Sequence, residues 1–269
     1  ATLEKMGLIE RMEVEKEVRL LRAQSHRMVP LALLTLDDDK FIYTVFHDRI
    51  CMTLSALIGE IGFDEKTAKF YCASVCLGLE QLREDGIIYR NLNSDAIVLD
   101  NKGYIQLMDM RYAVTADSSP TDFCGYAHYL SPEQVDGQGH GIATDCWALG
   151  ILTYEMTCGG ANPWLTGDPV KDSEVGVYQR ITAHKAGALG FPDEVSEPLA
   201  DVLNDLLHPQ ASQRLGARAA GLQEVRKASW FYGFDWGALE AGKMPSVHKR
   251  DVEEALDAAL SKKVKPAGM

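Results

Sequence analysis

The sequence predicts an α+β fold in which a small strand-bearing portion comes first and a helical portion follows. Three observations carry this expectation. Apolar residues recur at helical spacing in an early segment and throughout the chain beyond residue 130; short β-branched or aromatic runs lie between; and Gly, Pro, Asn and Asp punctuate the joins. At 269 residues the chain suits one large domain or two lobes, and 46% hydrophobic with 25% charged residues is the balance of a globular protein with a sizeable core.

The elements follow in order. Over residues 8–22, Ile9, Met12, Val14, Val18 and Leu21 repeat every three or four positions among charges, the pattern of an amphipathic helix. Residues 29–36 and 41–46 are apolar, β-branched or aromatic runs separated by Asp37, Asp38, Asp39 and Lys40, which reads as a hairpin. Ala68, Tyr71, Cys72, Val75, Leu79 and Leu82 keep one register over 64–83, predicting a buried helix. Short strands are expected at 87–89, 96–99 and 104–108, set apart by Asn91, Asn93, Asp95, Asp100, Asn101 and Gly103. Helices are expected at 144–157, 177–188, 198–207 and 222–228, and a charged helix at 249–263. Residues 113–125 and 159–173 read as loops, long enough to serve a function.

Charge and cysteine usage exclude several classes. Asp plus Glu exceed Lys plus Arg by 39 to 27, and the resulting −12 repels polyanions, so nucleic-acid binding is not expected. No apolar run approaches the roughly 18 residues that span a bilayer, and the first residues lack the apolar stretch of a secretory signal, so no membrane association and a cytoplasmic location are expected. The six cysteines have no Cys-x-x-Cys pairing, which argues against zinc; Cys72 and Cys76 share one helix face and read as reduced, buried thiols.

One stretch carries chemistry. Tyr89-Arg90-Asn91-Leu92-Asn93-Ser94-Asp95-Ala96 resembles the catalytic loop of protein kinases. Asp109-Met110-Arg111 then resembles the Asp-Phe-Gly magnesium motif, Ser131-Pro132-Glu133 the Ala-Pro-Glu motif, and Asp145-Cys146-Trp147 the start of the helix beyond it, with Arg214 at the place of the Glu-pairing arginine. Five matches in order make the resemblance specific. Phe123-Cys124-Gly125, Gln213-Arg214-Leu215-Gly216 and Ser229-Trp230-Phe231 look like cyclic-nucleotide-dependent Ser/Thr kinases of the AGC type, the cGMP-dependent ones above all. The resemblance implies a partial N-lobe at 1–46, a C-lobe at 47–236 and a C-terminal tail at 237–269.

It also implies a defective engine. Asn91 stands at the catalytic aspartate, and an amide orients a hydroxyl but accepts no proton. Asn93 replaces the catalytic-loop lysine that clamps phosphate, and Ala96 replaces the second metal ligand. Asp109 is the retained metal carboxylate, while Glu17 resembles the lysine-pairing glutamate and Thr53 is assigned to the nucleotide pocket. Only sixteen residues precede Glu17, without a Gly-x-Gly run, so ATP and magnesium are expected only with a complete N-lobe. Arg111, in place of glycine, either fills the cleft, pairs with Asp109 or points into solvent.

Other residues read as regulatory or structural. Asp122 stands at the phosphorylated threonine of relatives and, with the retained Arg90, implies a permanent ion pair; a solvated loop aspartate is the alternative. Glu155 matches a site that receives a substrate arginine, implying a basic peptide or protein partner, against a plain surface or helix glutamate. Glu133, Asp145 and Arg214 are scaffold elements in the resemblance. The expected function is a pseudokinase that binds rather than transfers phosphate, within a larger multidomain chain. A fragment of a weakly active Ser/Thr kinase and a purely structural module with a filled cleft are the rivals.

Overall fold

A computed structural model describes residues 8–23, 26–37, 42–246, 248, 249, 251–254 and 257. Helix α1 (Leu8–Ala23) leads into strand β1 (Ala32–Asp37), which pairs antiparallel with β2 (Ile42–Phe46). The hairpin foreseen at 29–46 therefore starts later, because Pro30 offers no N–H and residues 27–29 turn instead. Thr35 and Ile42 share a cleft with Val18 and Arg22 of α1. The opposite face carries the cross-strand pairs Leu34↔Val45 and Leu36↔Tyr43, all exposed.

Strand β3 (Ile50–Thr53) runs into α2 (Leu54–Ile61) and then α3 (Glu65–Glu84). The sequence reading missed β3 and α2, whose short apolar run lacks a decisive period. Thr53 caps α2 by accepting Ala56 N–H, and Asp64 caps α3 by accepting Thr67 N–H at 2.7 Å. The Asp64 carboxyl is held below the usual range chiefly by these Thr67 bonds. Helix α3 buries residues on every face, Cys72 and Cys76 among them as free thiols that burial pushes upward, Cys72 to about 12.

Short strands β4 (Ile87–Ile88), β5 (Ile97–Asp100), β6 (Ile105–Leu107) and β7 (Val114–Thr115) follow, forming a β3-β5-β6 sheet and a β4-β7 pair. The remaining helices are α4 (Pro132–Val135), α5 (Ala143–Thr157), α6 (Glu174–Ala183), α7 (Glu197–Leu206), α8 (Gln223–Arg226) and α9 (Trp236–Glu240). Helix α6 stops five residues short of the expected end, where His184 turns extended (φ −63°, ψ 139°), and Gly187 follows in a turn with φ 71°. The fold class is thus α+β with a helical second half. No helix among the described residues is long and apolar enough to cross a membrane.

Helix α5 is buried nearly all round and packs between α3 and α7, so the core of the molecule lies along it. A Cβ on Gly150 would come within 2.8 Å of the Leu207 side chain and 3.0 Å of the Leu206 Cβ. Gly150→Val is therefore expected to lose about 1–3 kcal/mol through overpacking, read as a lower urea midpoint at unchanged slope.

Beyond α9 the chain stays attached to the body. The Tyr104 hydroxyl donates to the Met244 carbonyl, Ser246 Oγ donates to the Gly103 carbonyl at 2.9 Å, and the His248 ring stacks on Phe63 at 5.3 Å. Val252 is fully buried. Of the helix expected at 249–263, residues 249, 251–254 and 257 are helical, and the others lie outside the described residues.

Candidate active-site cleft

The loop between β4 and β5 is shaped by a carboxylate from another element. Asp145, in the first turn of α5, accepts Tyr89 N–H at 2.9 Å and Arg90 N–H at 2.8 Å. Those two bonds hold Arg90 in the left-handed region, φ 61°, which a non-glycine residue adopts only under constraint. Burial is the main influence on the Asp145 carboxyl and lifts it to about 6, against the two backbone donors.

Next along the loop, both asparagines spend their amides on the backbone. Asn91 Nδ2 donates to the Asp109 carbonyl at 3.0 Å. Asn93 Nδ2 donates to the Asn91 carbonyl at 2.8 Å, and its Oδ1 accepts Asp95 N–H at 3.0 Å and Ala96 N–H at 2.9 Å. Asn93 is thus a turn-former of the kind short amide side chains favour. Ala96 presents only a methyl group, and its carbonyl accepts Met108 N–H at 2.9 Å.

Asp109 is also left-handed, φ 60°, so that Met110 turns inward to burial while the Asp109 carboxylate stays partly exposed. Arg111 Nε donates to Asp109 Oδ1 at 2.5 Å, with the Arg111 side chain 53% exposed. The structure therefore joins two of the sequence alternatives, since Arg111 pairs with Asp109 and faces solvent together. Glu17 on α1 accepts Met110 N–H at 2.9 Å. Burial first, and the Asp109 charge second, raise the Glu17 carboxyl. Glu17, Asn91, Asn93, Ala96 and Asp109 thus converge on one cleft, whereas the Thr53 hydroxyl is committed to capping α2.

In this cleft the donor set does not fit a two-magnesium nucleotide site. Ala96 supplies no side-chain oxygen, and of the two carboxylates Glu17 accepts the Met110 N–H while Asp109 already carries a guanidinium.

Around the loop, Arg90 Nη1 donates to Asp122 Oδ1 at 2.6 Å and Arg90 Nε to the Tyr112 carbonyl at 2.8 Å. The Arg90 hydrogen bond draws the Asp122 carboxyl below its usual range. No sequence pattern marks His140, which is 6% exposed with Nε2 3.3 Å from the same Arg90 Nη1. A lone histidine between glycines carries no pattern that marks a contact.

Glu155 is a helix glutamate, on α5, and it is 7% exposed rather than on the surface. Tyr129 Oη donates to it, as do Asn162 Nδ2 at 2.9 Å and Ser94 Oγ at 3.4 Å. Burial raises its carboxyl despite those bonds. Its acceptor sites are filled from within, so a peptide arginine would have to displace them.

Beneath the cleft, Arg214 is fully buried and bidentate to Glu133, at 2.7 and 3.0 Å. Its remaining protons go to the Ala143, His208 and Pro209 carbonyls, and its guanidinium lies 5.0 Å from the Trp147 ring. Burial pushes the Glu133 carboxyl up, but the Arg214 hydrogen bonds and charge outweigh it and hold the group below its usual range.

Comparison with known proteins places these motifs in context. A family described as the protein kinase domain matches residues 2–231. Over 260 residues the chain is 30% identical to cGMP-dependent protein kinase 2 of Homo sapiens, covering 94% of this chain and 33% of that protein. Over 240 residues it is 32% identical to the cAMP-dependent protein kinase catalytic subunit PRKX of Homo sapiens, covering 88% of this chain and 64% of that protein. The chain spans about a third of the length of the cGMP-dependent relative and just under two thirds of PRKX.

Proposed function

Since the chain belongs to the protein kinase family, with relatives among the cyclic-nucleotide-dependent kinases, we propose that it is a pseudokinase, acting by binding or scaffolding rather than by phosphoryl transfer. The observation that carries this reading is the fate of the two loop asparagines, Asn91 and Asn93. Where transfer needs a carboxylate to accept a hydroxyl's hydrogen bond and a cation to meet developing charge, this loop has two amides tied to backbone. Asp109 neutralised by Arg111 and the methyl group of Ala96 support the same reading, because each removes charge stabilisation worth on the order of 3–4 kcal/mol of barrier.

The constant ion pair of Arg90 with Asp122 supports a loop held in one arrangement without phosphorylation. A net charge of −12 favours a basic protein or peptide partner over nucleic acid, and a cytoplasmic setting within a longer polypeptide fits the relatives' greater length. The rival, a weakly active Ser/Thr kinase, is favoured by the kinase names of the relatives and by the retained Asp109 carboxylate.

Peptide phosphorylation by the natural full-length protein separates the two. Transfer is expected at the level of an Asp109→Ala control, and Asn91→Asp is expected to stay within about tenfold of it, because clamp and second ligand remain missing. Wild-type transfer far above the Asp109→Ala control overturns the proposal.

A further inference from the structure

Under the loop between β4 and β5 lies a small chamber whose polar walls include Arg90, Asn91, Asn93, Gln134, Thr144 and Asp145, none of them more than 7% exposed. It leaves about 10 Å³ for the centre of a water-sized sphere, which is room for one water and for nothing larger.

Backbone partners fix the orientation of two amides in its wall. Gln134 Oε1 accepts Ser131 N–H at 3.1 Å, a bond that only the oxygen end of an amide can make. The end left over is Nε2, and among the described residues no acceptor meets it. Asn91 is fixed the opposite way, because Nδ2 donates to the Asp109 carbonyl at 3.0 Å and leaves Oδ1 over. The one donor near that oxygen, Asn93 Nδ2, stands 3.4 Å away and is closer to the Asn91 carbonyl, at 2.8 Å. The chamber is therefore walled by a residue 4% exposed with a donor to spare and a residue 3% exposed with an acceptor to spare. Buried polar groups of this kind are costly to leave unpaired.

We propose that the chamber is a binding site for one ordered water, which accepts from Gln134 Nε2 and donates to Asn91 Oδ1, joining the β4–β5 loop to α4. The class of ligand follows from the mismatch, since a single atom has to accept on one side and donate on the other. A cation cannot accept from Nε2. A halide cannot donate to Oδ1 and would stand beside the Asp145 carboxylate, and an organic hydroxyl brings carbon atoms for which there is no room. For the second water proton the wall offers Thr144 Oγ1, whose own hydrogen goes to the Gly141 carbonyl at 2.9 Å. That makes three partners, the usual number for a buried water.

The proposal goes beyond the pseudokinase reading and holds whether or not the protein transfers phosphate. Its consequence for the loop is that the Asn91 amide is fastened at both ends, by Nδ2 to Asp109 and by Oδ1 through the water to Gln134.

A crystal structure of the natural full-length protein that resolves ordered waters tests this. In wild type one peak is expected within about 3.2 Å of both Gln134 Nε2 and Asn91 Oδ1. Gln134→Met, of similar length but without a donor, is expected to lose that peak, and crystals soaked in bromide are expected to give no anomalous signal there. An empty wild-type chamber, a peak bonded to neither atom, a bromide signal in its place, or a peak that survives Gln134→Met each overturns the proposal. The wild-type map decides without the variant, whose folding also feels the loss of the acceptor for Ser131 N–H.

Discussion

Arg214→Ala is expected to lose about 3–5 kcal/mol of folding stability, the cost of leaving a buried charge without its partner. The arginine is fully buried and gives two protons to Glu133 and the others to three carbonyls, so its removal strands the Glu133 carboxylate and those acceptors together. The large figure belongs to breaking the pair, not to the pair's net worth. Replacing both partners by apolar residues of similar size, Arg214→Met with Glu133→Leu, is expected to restore much of the loss. As a contrast, Arg218 pairs with Glu224 at 2.8 Å from an exposed position, and Arg218→Ala is expected to cost under about 1 kcal/mol. Urea unfolding of the single and double variants checks the series; a mild effect of Arg214→Ala would mean the pair contributes little to the α4–α5 corner.

The second large effect is at Asp145. Asp145→Ala is expected to cost about 2–6 kcal/mol, since two buried N–H groups, of Tyr89 and Arg90, each lose an acceptor worth about 1–3 kcal/mol. It also frees Arg90 from its left-handed conformation, so the Asp122 and His140 contacts should fail with it. The pH response has a definite sign. Because burial raises this carboxyl to about 6, the folded state holds the proton more tightly than the unfolded chain, whose value is 3.8. This group's contribution is therefore fully present below 3.8 and is lost as pH rises through about 6. Denaturant titrations across that window should show stability falling with pH in wild type, and that component should vanish in Asp145→Asn.

What the sequence could reveal followed from pattern length. Helix α3 was legible because Ala68, Tyr71, Val75, Leu79 and Leu82 keep one register across twenty residues. Helix α2 was not, although Thr53 followed by Gly62 supplied a cap at each end, because eight mostly apolar residues fit a strand equally well. The kinase motifs were visible as ordered residue types, and the family match covers them. The motifs identified Asn91 and Asn93 as losses of charge; that Asn93 is also the turn-former bonded to Asp95 and Ala96 required coordinates. The burial of Glu155 stayed hidden for a related reason, since nothing within a helix announces that a tyrosine 26 residues earlier will turn its hydroxyl onto the carboxylate.

The stretch past Phe231, the last family-matched residue, carries a practical lesson. Leu239 and Val252 have no solvent-facing surface, and His248 covers the flat side of Phe63. A shortened gene product ending at the family boundary would bare greasy rings at the foot of α3, so any trimmed version meant for crystallisation or display has to extend at least through Val252.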